Sequence, residues 1–211
     1  DAQQPMRYID LMGGGKPHLM VKVVNNLGAE THIRYAPSTK FYLEDKRAGK
    51  PWITKLPFPV HVVERGETYD RISRNRFVTR YAYHHGYFDG VEREFRGFGM
   101  VEQRDTEEYG TFEADGLLDD AENLDQATHV PPVRTRTWFH TGAYLGRDRV
   151  SNFFAGLLDD HDVGDYYREP AWPDDDTEAK KRLLPDTVLS PDLTLEEERE
   201  ACRALKGAML R

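Results

Sequence analysis

The chain has 211 residues, of which 31% are charged, and it carries a formal net charge of −8 at pH 7. A net negative charge argues against a nucleic-acid partner, and no apolar run approaches the ~20 residues that a membrane-spanning helix requires. A single cysteine excludes an internal disulfide bond. The sequence shows no signal peptide, starts with Asp1 and stops at Arg211 within a helical pattern, so we expect a piece of a longer protein.

Residues 18–36 alternate apolar and polar side chains on two arms, a pattern that is typical of strands with two different faces. Asn25, Asn26 and Gly28 lie between the arms, and asparagine and glycine suit turn positions that need a positive φ. The sequence therefore predicts a β-hairpin. An isolated hairpin is marginal in water, so this one requires neighbouring strands.

The next predicted element is a short helix over residues 38–47, with Ser38 as its candidate N-cap. Residues 49–59 contain three prolines and Trp52, which indicates an irregular, extended segment. Strand character returns at residues 60–69, where β-branched and polar side chains follow one another again.

The central predicted feature is a hairpin over residues 81–102, in which residues 84–90 connect two aromatic-rich arms. Gly97 and Gly99 lie inside the second arm, where glycine often marks a bulge or a sharp bend. We expect two aromatic side chains of this hairpin to be largely buried, Tyr83 and Phe95.

A local run of arginines precedes this hairpin, at positions 71, 74, 76 and 80. Glutamates flank the run at positions 64, 67, 92 and 94. Opposite charges on adjacent strands stabilise a sheet, so we expect these residues to form cross-strand ion pairs rather than a phosphate site.

Beyond residue 105 the sequence becomes acidic and less strand-like. It predicts a short strand near residues 134–140, a long acidic loop over 146–190 and a helix over 194–208. Thr194 followed by Glu197 fits a capping box at the start of that helix. Cys202 lies on the apolar stripe of the helix and is expected to be a buried side chain rather than a nucleophile.

These elements indicate a mainly β fold made of antiparallel hairpins, with a C-terminal helix and long acidic loops. We expect two regions: residues 1–110 form the hairpin region, and residues 111–211 form a mixed region that contains the short strand, the acidic loop and the helix.

Catalytic motifs are missing from the sequence, which contains no GxSxG, HExxH or paired CxxC. We therefore expect no enzyme activity, no cofactor and no metal. One alternative is a metal-dependent enzyme, whose candidate ligands would be His84, His85, Asp89 and His140. Adjacent histidines in a strand point to opposite faces, which weakens His84 and His85 as joint ligands. A second alternative is a carbohydrate-binding β module that uses three tryptophans, Trp52, Trp138 and Trp172.

Several stretches of the sequence resemble one protein family. They are NNLGAETHIRYAPSTKFYLEDKRAGKPW, the central YAYHHGYFDGVEREFRGFGMVE, TRTWFHTGAY and LTLEEEREACRALKGAMLR. Together they are similar to the B component of bacterial Tc insecticidal toxin complexes, a relative of Rhs proteins with YD repeats. The resemblance covers most of residues 18–211, and it places the chain in the middle to C-terminal part of that component.

The resemblance implies a structural role in a secreted toxin complex. The B component is similar to Rhs proteins in building a hollow, curved β-sheet shell together with the C component. That shell holds a toxic effector polypeptide for transfer into the A-component channel, which would contact parts outside this chain. The resemblance carries over no catalytic residue, because the enzymatic groups of the family belong to the C component.

Overall fold

The computed structural model describes residues 16, 18–105, 130–151 and 186–210, and each structural statement below concerns these residues. The elements in chain order are β1 (Lys22–Val24), β2 (Ala29–Pro37), α1 (Ser38–Arg47), β3 (His61–Asp70), β4 (Asn75–Asp89), β5 (Glu94–Arg104), β6 (Arg134–Trp138) and α2 (Leu195–Ala204). The six strands form one antiparallel sheet in the order β1-β2-β3-β4-β5-β6. The mainly β prediction is confirmed.

The first hairpin forms as predicted, with a turn that its asparagines and glycine make possible. Asn26 and Gly28 have φ angles of 58° and 105°, and the side chain of Asn25 accepts hydrogen bonds from the N–H groups of Leu27 and Ala29. The first arm is shorter than expected, since only three of its residues form strand. Just before β1, the Ile33 N–H still donates to the Val21 carbonyl at 2.9 Å, and the Tyr35 hydroxyl donates to the Met20 carbonyl at 3.0 Å.

Helix α1 has the predicted bounds, but the predicted N-cap is wrong. Pro37 is the N-cap residue and makes no side-chain capping bond, and Ser38 is the first helical residue. The Ser38 side chain accepts a hydrogen bond from the Val60 N–H at 3.0 Å, while the Ser38 N–H donates to the Val60 carbonyl at 2.7 Å. Ser38 therefore joins the start of the helix to the chain that leads into β3.

The central hairpin is confirmed, but its turn lies further along the chain than predicted. Residues 84–89, which were expected to connect the arms, belong to β4, and the turn occupies residues 90–93. The Asp89 carboxylate accepts hydrogen bonds from the N–H groups of Val91 and Glu92 at 2.9 and 3.1 Å. A short polar side chain that bonds the backbone ahead of it is a common way to close a turn.

Gly97 lies at a bulge in β5, as its position inside the strand predicted. The register shifts between Gly86 and Phe88 on β4, where β5 contributes one extra residue between Phe95 and Phe98. Gly97 has a φ of 91°, a conformation that favours glycine. Gly99 differs, because it has no positive φ and its neighbours pair in regular register.

Two apolar clusters pack around the sheet. The first contains Ala36, Phe41 and Val62, with Trp52, Val60, Ala82, Tyr83 and Phe98 partly buried against it. The second contains Met100, Trp138 and Ala143, with Ile53, Tyr87 and Leu210 against it. Tyr83 and Phe95 are both partly buried and both contact the Phe98 ring, at centroid distances of 5.0 and 5.6 Å. Helix α1 and the irregular 49–60 segment thus cover part of the sheet.

Strand β6 pairs with β5. Helix α2 begins with the predicted capping box, in which the side chains of Thr194 and Glu197 each accept a hydrogen bond from the other residue's backbone N–H group. The helix is shorter than the predicted 194–208. Past its end Gly207 has a φ of 82°, and its N–H donates to the His140 carbonyl instead of continuing the helix. Cys202 is buried, as predicted. Leu195 and Met209 are exposed, contrary to the apolar stripe assigned to them.

Most of the acidic segments predicted over 105–129 and 146–190 lie outside the described residues.

Candidate functional site

His84 joins two elements of the fold through one carboxylate. Its Nδ1 lies 2.6 Å from the Asp45 carboxylate in α1. The Trp52 indole N–H donates to the same oxygen, also at 2.6 Å. Asp45 therefore holds helix α1 against both β4 and the irregular segment that follows the helix.

His85 has a different environment from its neighbour. The residue is buried, its φ is 57°, and its Nδ1 accepts a hydrogen bond from the Ile53 N–H at 3.3 Å. Its ring stacks on Trp138, with 5.9 Å between the centroids and an interplanar angle of 16°. His85 is a packing side chain of the second apolar cluster.

Asp89 and His140 are also engaged by protein groups. Asp89 closes the central turn and pairs with Arg96 at 3.0 Å. Burial would raise the pKa of Asp89, but the two backbone N–H groups and the Arg96 guanidinium together hold that pKa below its usual value. His140 Nδ1 accepts from the Gly142 N–H at 2.8 Å, which leaves Nε2 to donate to the Val150 carbonyl at 2.7 Å. His140 is therefore neutral, and burial lowers its pKa.

The structure does not bring the four candidate ligands together. Among residues 16, 18–105, 130–151 and 186–210, no group of three or more His, Cys, Asp or Glu side chains could hold a metal ion. The four residues contact separate partners in α1, the irregular segment, the central turn and the loop after β6. The geometry thus gives the metal-enzyme alternative no site within this part of the chain.

The two described tryptophans belong to the apolar clusters. Trp138 is buried, and Trp52 is partly buried with its indole N–H bonded to Asp45. Neither offers an exposed ring for stacking on a sugar. Trp172 lies outside the described residues.

Charged side chains, rather than a catalytic cluster, are the most unusual feature of the sheet. Glu67 contacts Arg65 at 3.1 Å and Arg76 at 2.7 Å, and all three side chains are buried. The pair between Arg76 and Glu67 confirms that the arginine run makes cross-strand ion pairs. A buried charge must be paired, because removing it from water without a partner costs several kcal/mol.

A second charged group lies where β5 meets β6. The buried Glu102 carboxylate contacts the guanidinium groups of Arg104 at 3.1 Å, Arg136 at 3.5 Å and Arg134. Burial would raise the pKa of Glu102, but hydrogen bonds and charges from Arg134 and Arg104 hold that pKa below its usual value. Sequence reasoning missed this group because Arg134 and Arg136 are 32 and 34 residues away from Glu102 in the chain.

The two outer strands of the described sheet differ in chemistry. Strand β1 exposes Val23 and Val24, and Met20 and Val21 just before it are exposed as well. Strand β6 exposes charged and polar side chains over 134–136. Outer strands present N–H and C=O groups that can pair with another strand. Residues 208–210 already bond the outer side of the chain at 138–140, with the Leu210 N–H donating to the Trp138 carbonyl. Among the described residues, β1 and the 134–137 part of β6 are therefore the places where this sheet can be extended.

No helix among the described residues is long and apolar enough to cross a membrane.

A family described as insecticide toxin TcdB middle/N-terminal region matches residues 8–142. Among solved structures, the crystal structure of TcdB2-TccC3-TEV is 30% identical to this chain, covers 92% of it and has a TM-score of 0.61. The Photorhabdus luminescens Tc holotoxin pore with a substitution in TccC3 is 29% identical, covers 90% and has a TM-score of 0.60. TcdB2-TccC3 without its hypervariable C-terminal region is 30% identical, covers 89% and has a TM-score of 0.56. A search of curated proteins found no match.

The chain spans only 8% of the length of each of these solved chains. The family match covers well over half of the sequence, including all six strands. The likeness of the fold extends beyond the family match, since the solved structure covers 92% of the chain. This chain is therefore a fragment of the B component of an insecticidal Tc toxin and belongs to the TcdB middle/N-terminal family.

Proposed function

We propose that this chain is a structural segment of a secreted toxin complex, in which the B component and the C component together enclose a toxic effector polypeptide. The observation that carries the proposal is a six-stranded antiparallel sheet with two extendable edges in a chain of the TcdB family. The relatives support a C-component partner, since TcdB2 is joined to TccC3 in the solved structures.

Within this proposal the sheet is a section of wall, and its ionisable side chains have structural roles. His84, Asp89 and His140 each fix one element against another. The bulge at Gly97 bends a strand, as bulges do where a sheet must curve. No step of catalysis is assigned to this chain, and the A-component channel would contact other parts of the complex.

We also propose the division into a hairpin region, 1–110, and a mixed region, 111–211. The mixed region contributes β6 to the sheet, where β6 pairs with β5 of the hairpin region. Limited proteolysis tests the division: cleavage first near residue 110 supports it, and first cleavage inside either region contradicts it.

An assembly experiment tests the proposed function. The B component that contains this chain is co-expressed with its C component, and protection of the effector against added protease is measured. We expect Trp138→Ala, which opens the second apolar cluster, to reduce protection strongly, whereas Lys50→Ala in the exposed loop after α1 leaves it unchanged. Full protection by a Trp138→Ala complex that has lost the fold of this segment would contradict the proposal.

Secretion is tested separately by following the B component in culture medium and in cells. We expect the assembled complex in the medium, and strict retention in cells that release other secreted proteins would contradict that part of the proposal.

A further inference from the structure

The two faces of the sheet differ in charge. Directly paired residues point to the same face, and so do residues two apart on one strand, so the strand register places three rows of residues together on one face. The first row is Val23, Thr31, Thr68 and Phe77; the second is Ile33, Gly66 and Thr79; the third is Tyr81, Gln103 and Thr135. None of these residues is charged. We call them the neutral face.

The neutral face is the open face of the sheet. None of its residues is buried, and Val23 and Phe77 are 41% and 57% exposed. Near its centre, a Cβ on Gly66 would meet no atom of the described residues within 4 Å. One row beyond Tyr81 the cover begins, since Phe41 of α1 packs on Tyr83 with 5.7 Å between the ring centroids.

The opposite face contains the buried charges. Its buried residues include Glu30, Arg65, Glu67, Tyr69, Arg76, Val78 and Glu102. An antiparallel sheet with one face in water normally has the reverse arrangement, with apolar side chains inside and polar ones outside. Asp70 follows the alternation of the neutral face at the end of β3, but its carboxylate is held in the turn, where it accepts from the Ile72 N–H and the Ser73 hydroxyl, each at 2.9 Å.

An open surface of this composition is typical of a contact surface. Charged residues are depleted and aromatic residues are enriched at the centre of protein interfaces. The neutral face has both properties, since Phe77 and Tyr81 lie among threonines and β-branched apolar side chains.

The lack of charge also determines which partner fits. Complementary charges usually fix the register of one specific partner, and like charges across an interface cost several kcal/mol. A neutral surface does neither, so it accepts chains of either charge and forms no ion pair that would slow their release. In one solved relative the C-terminal region of TccC3 is described as hypervariable, and a surface beside variable sequences has no fixed charge pattern to match.

We propose that the neutral face is the effector-facing side of this wall segment and contacts an extended polypeptide of mixed sequence. The inference rests on the proposed function and adds to it which face of the sheet meets the enclosed chain. The hydroxyls of Thr31, Thr68 and Thr79 each donate and accept hydrogen bonds, so they serve the peptide groups of any sequence. Val23 and Phe77 add apolar contacts that require no particular partner side chain.

Photo-crosslinking in the assembled B and C components, with the effector enclosed, tests the inference. Val23 and Val24 are neighbours on β1 that point to opposite faces, and they are 41% and 51% exposed, so the crosslinker p-benzoylphenylalanine at either position gives a matched pair. We expect about tenfold more effector to be joined to the probe at Val23 than at Val24, because adjacent strand residues face opposite ways. A third complex, with the probe at Phe77, should crosslink the effector as well.

Protease protection of the effector is measured on the same samples, which separates the inference from the proposed function. An effector that is protected but crosslinks equally from both valine positions, or mainly from Val24, overturns the inference and leaves the proposed function standing. Crosslinks from Val23 and Phe77 to another segment of the B or C component, in place of the effector, overturn it too. An effector that is neither protected nor crosslinked contradicts both.

Discussion

The two ends of the sheet have similar alternating sequences and very different surroundings. At one end, β1 pairs with β2 over three residues and exposes Val23 and Val24. At the other, β4 and β5 pair over eight positions, and Met100 packs with Trp138 of β6 in a buried cluster. The difference comes from what covers each strand: Ile53 of the 49–60 segment and Ala143 of the loop after β6 pack against the second end. Alternation therefore predicts a strand, but covering elements determine how much that strand contributes to stability.

The largest expected effect tests this difference directly. Trp138→Ala at the covered end should lower the free energy of unfolding by about 3–5 kcal/mol, because it leaves a cavity against Met100 and Ala143. Val24→Ala is the change at the exposed end, where the residue is 51% exposed, and should cost roughly 0.5 kcal/mol or less. Chemical denaturation measures both. Equal losses would remove the contrast between the two ends.

The buried charges between the two ends form the next test. Glu67→Ala leaves the Arg65 and Arg76 guanidinium groups buried without their shared carboxylate, so the free energy of unfolding should fall by about 3 kcal/mol. Glu44→Ala, at a half-exposed site on α1, should change it by less than about 0.5 kcal/mol. An unchanged melting temperature for Glu67→Ala would show that the three charges do not depend on one another.

A smaller effect is expected at the bulge of the central hairpin. Gly97→Ala forces a side chain into a φ of 91°, which should cost about 2 kcal/mol. Gly66→Ala is the control, since Gly66 has no positive φ and a Cβ there would meet no atom within 4 Å. Thermal melts of the two variants measure the cost of the positive φ, because a Cβ at either position would meet no atom within 4 Å. An unchanged melting temperature for Gly97→Ala would mean that the bulge can rearrange.

The weakest effect is a dependence of stability on pH at the junction of β6 and α2. Burial lowers the pKa of His140 in the folded chain, so the unfolded chain binds the proton more readily. Stability from this residue is complete above the unfolded pKa of about 6.5 and is lost as the pH falls below it, by at most about 1.4 kcal/mol per pH unit. His140→Gln should flatten the curve of unfolding free energy against pH between about 5 and 6.5. Thr135→Ala, at an exposed residue of β6 that does not titrate, is the control and should leave that slope unchanged.

Periodicity and turn chemistry were sufficient to predict most of the fold. The alternation in 18–36 and 60–102 predicted the hairpins, and the capping residues Thr194 and Glu197 predicted the start of α2. These local rules failed where another group competes for the same hydrogen bonds. Ser38 bonds Val60 rather than capping its helix, and residues 84–89 continue β4 because Asp89 closes a later turn.

The candidate sites show the same limit of local reasoning. The sequence suggested a joint role for His84, His85, Asp89 and His140, but their partners come from elements far away in the chain, such as Asp45 and Val150. The charged group around Glu102 was equally hidden, since Arg134 and Arg136 meet Glu102 only through the register of β5 and β6. Register depends on the whole sheet, and a one-residue shift would move each side chain to the other face.

The central claim is that this sheet is a wall segment whose outer strands are completed by other parts of the toxin complex. Backbone hydrogen exchange at β1 and β6 tests it most directly, measured in the 211-residue chain alone and in the assembled B and C components. We expect fast exchange and an aggregation-prone or loosely packed state for the chain alone, and protection of both strands in the assembly. A monodisperse monomer with a sharp, cooperative melt and the same protection at β1 and β6 in both samples would contradict the claim.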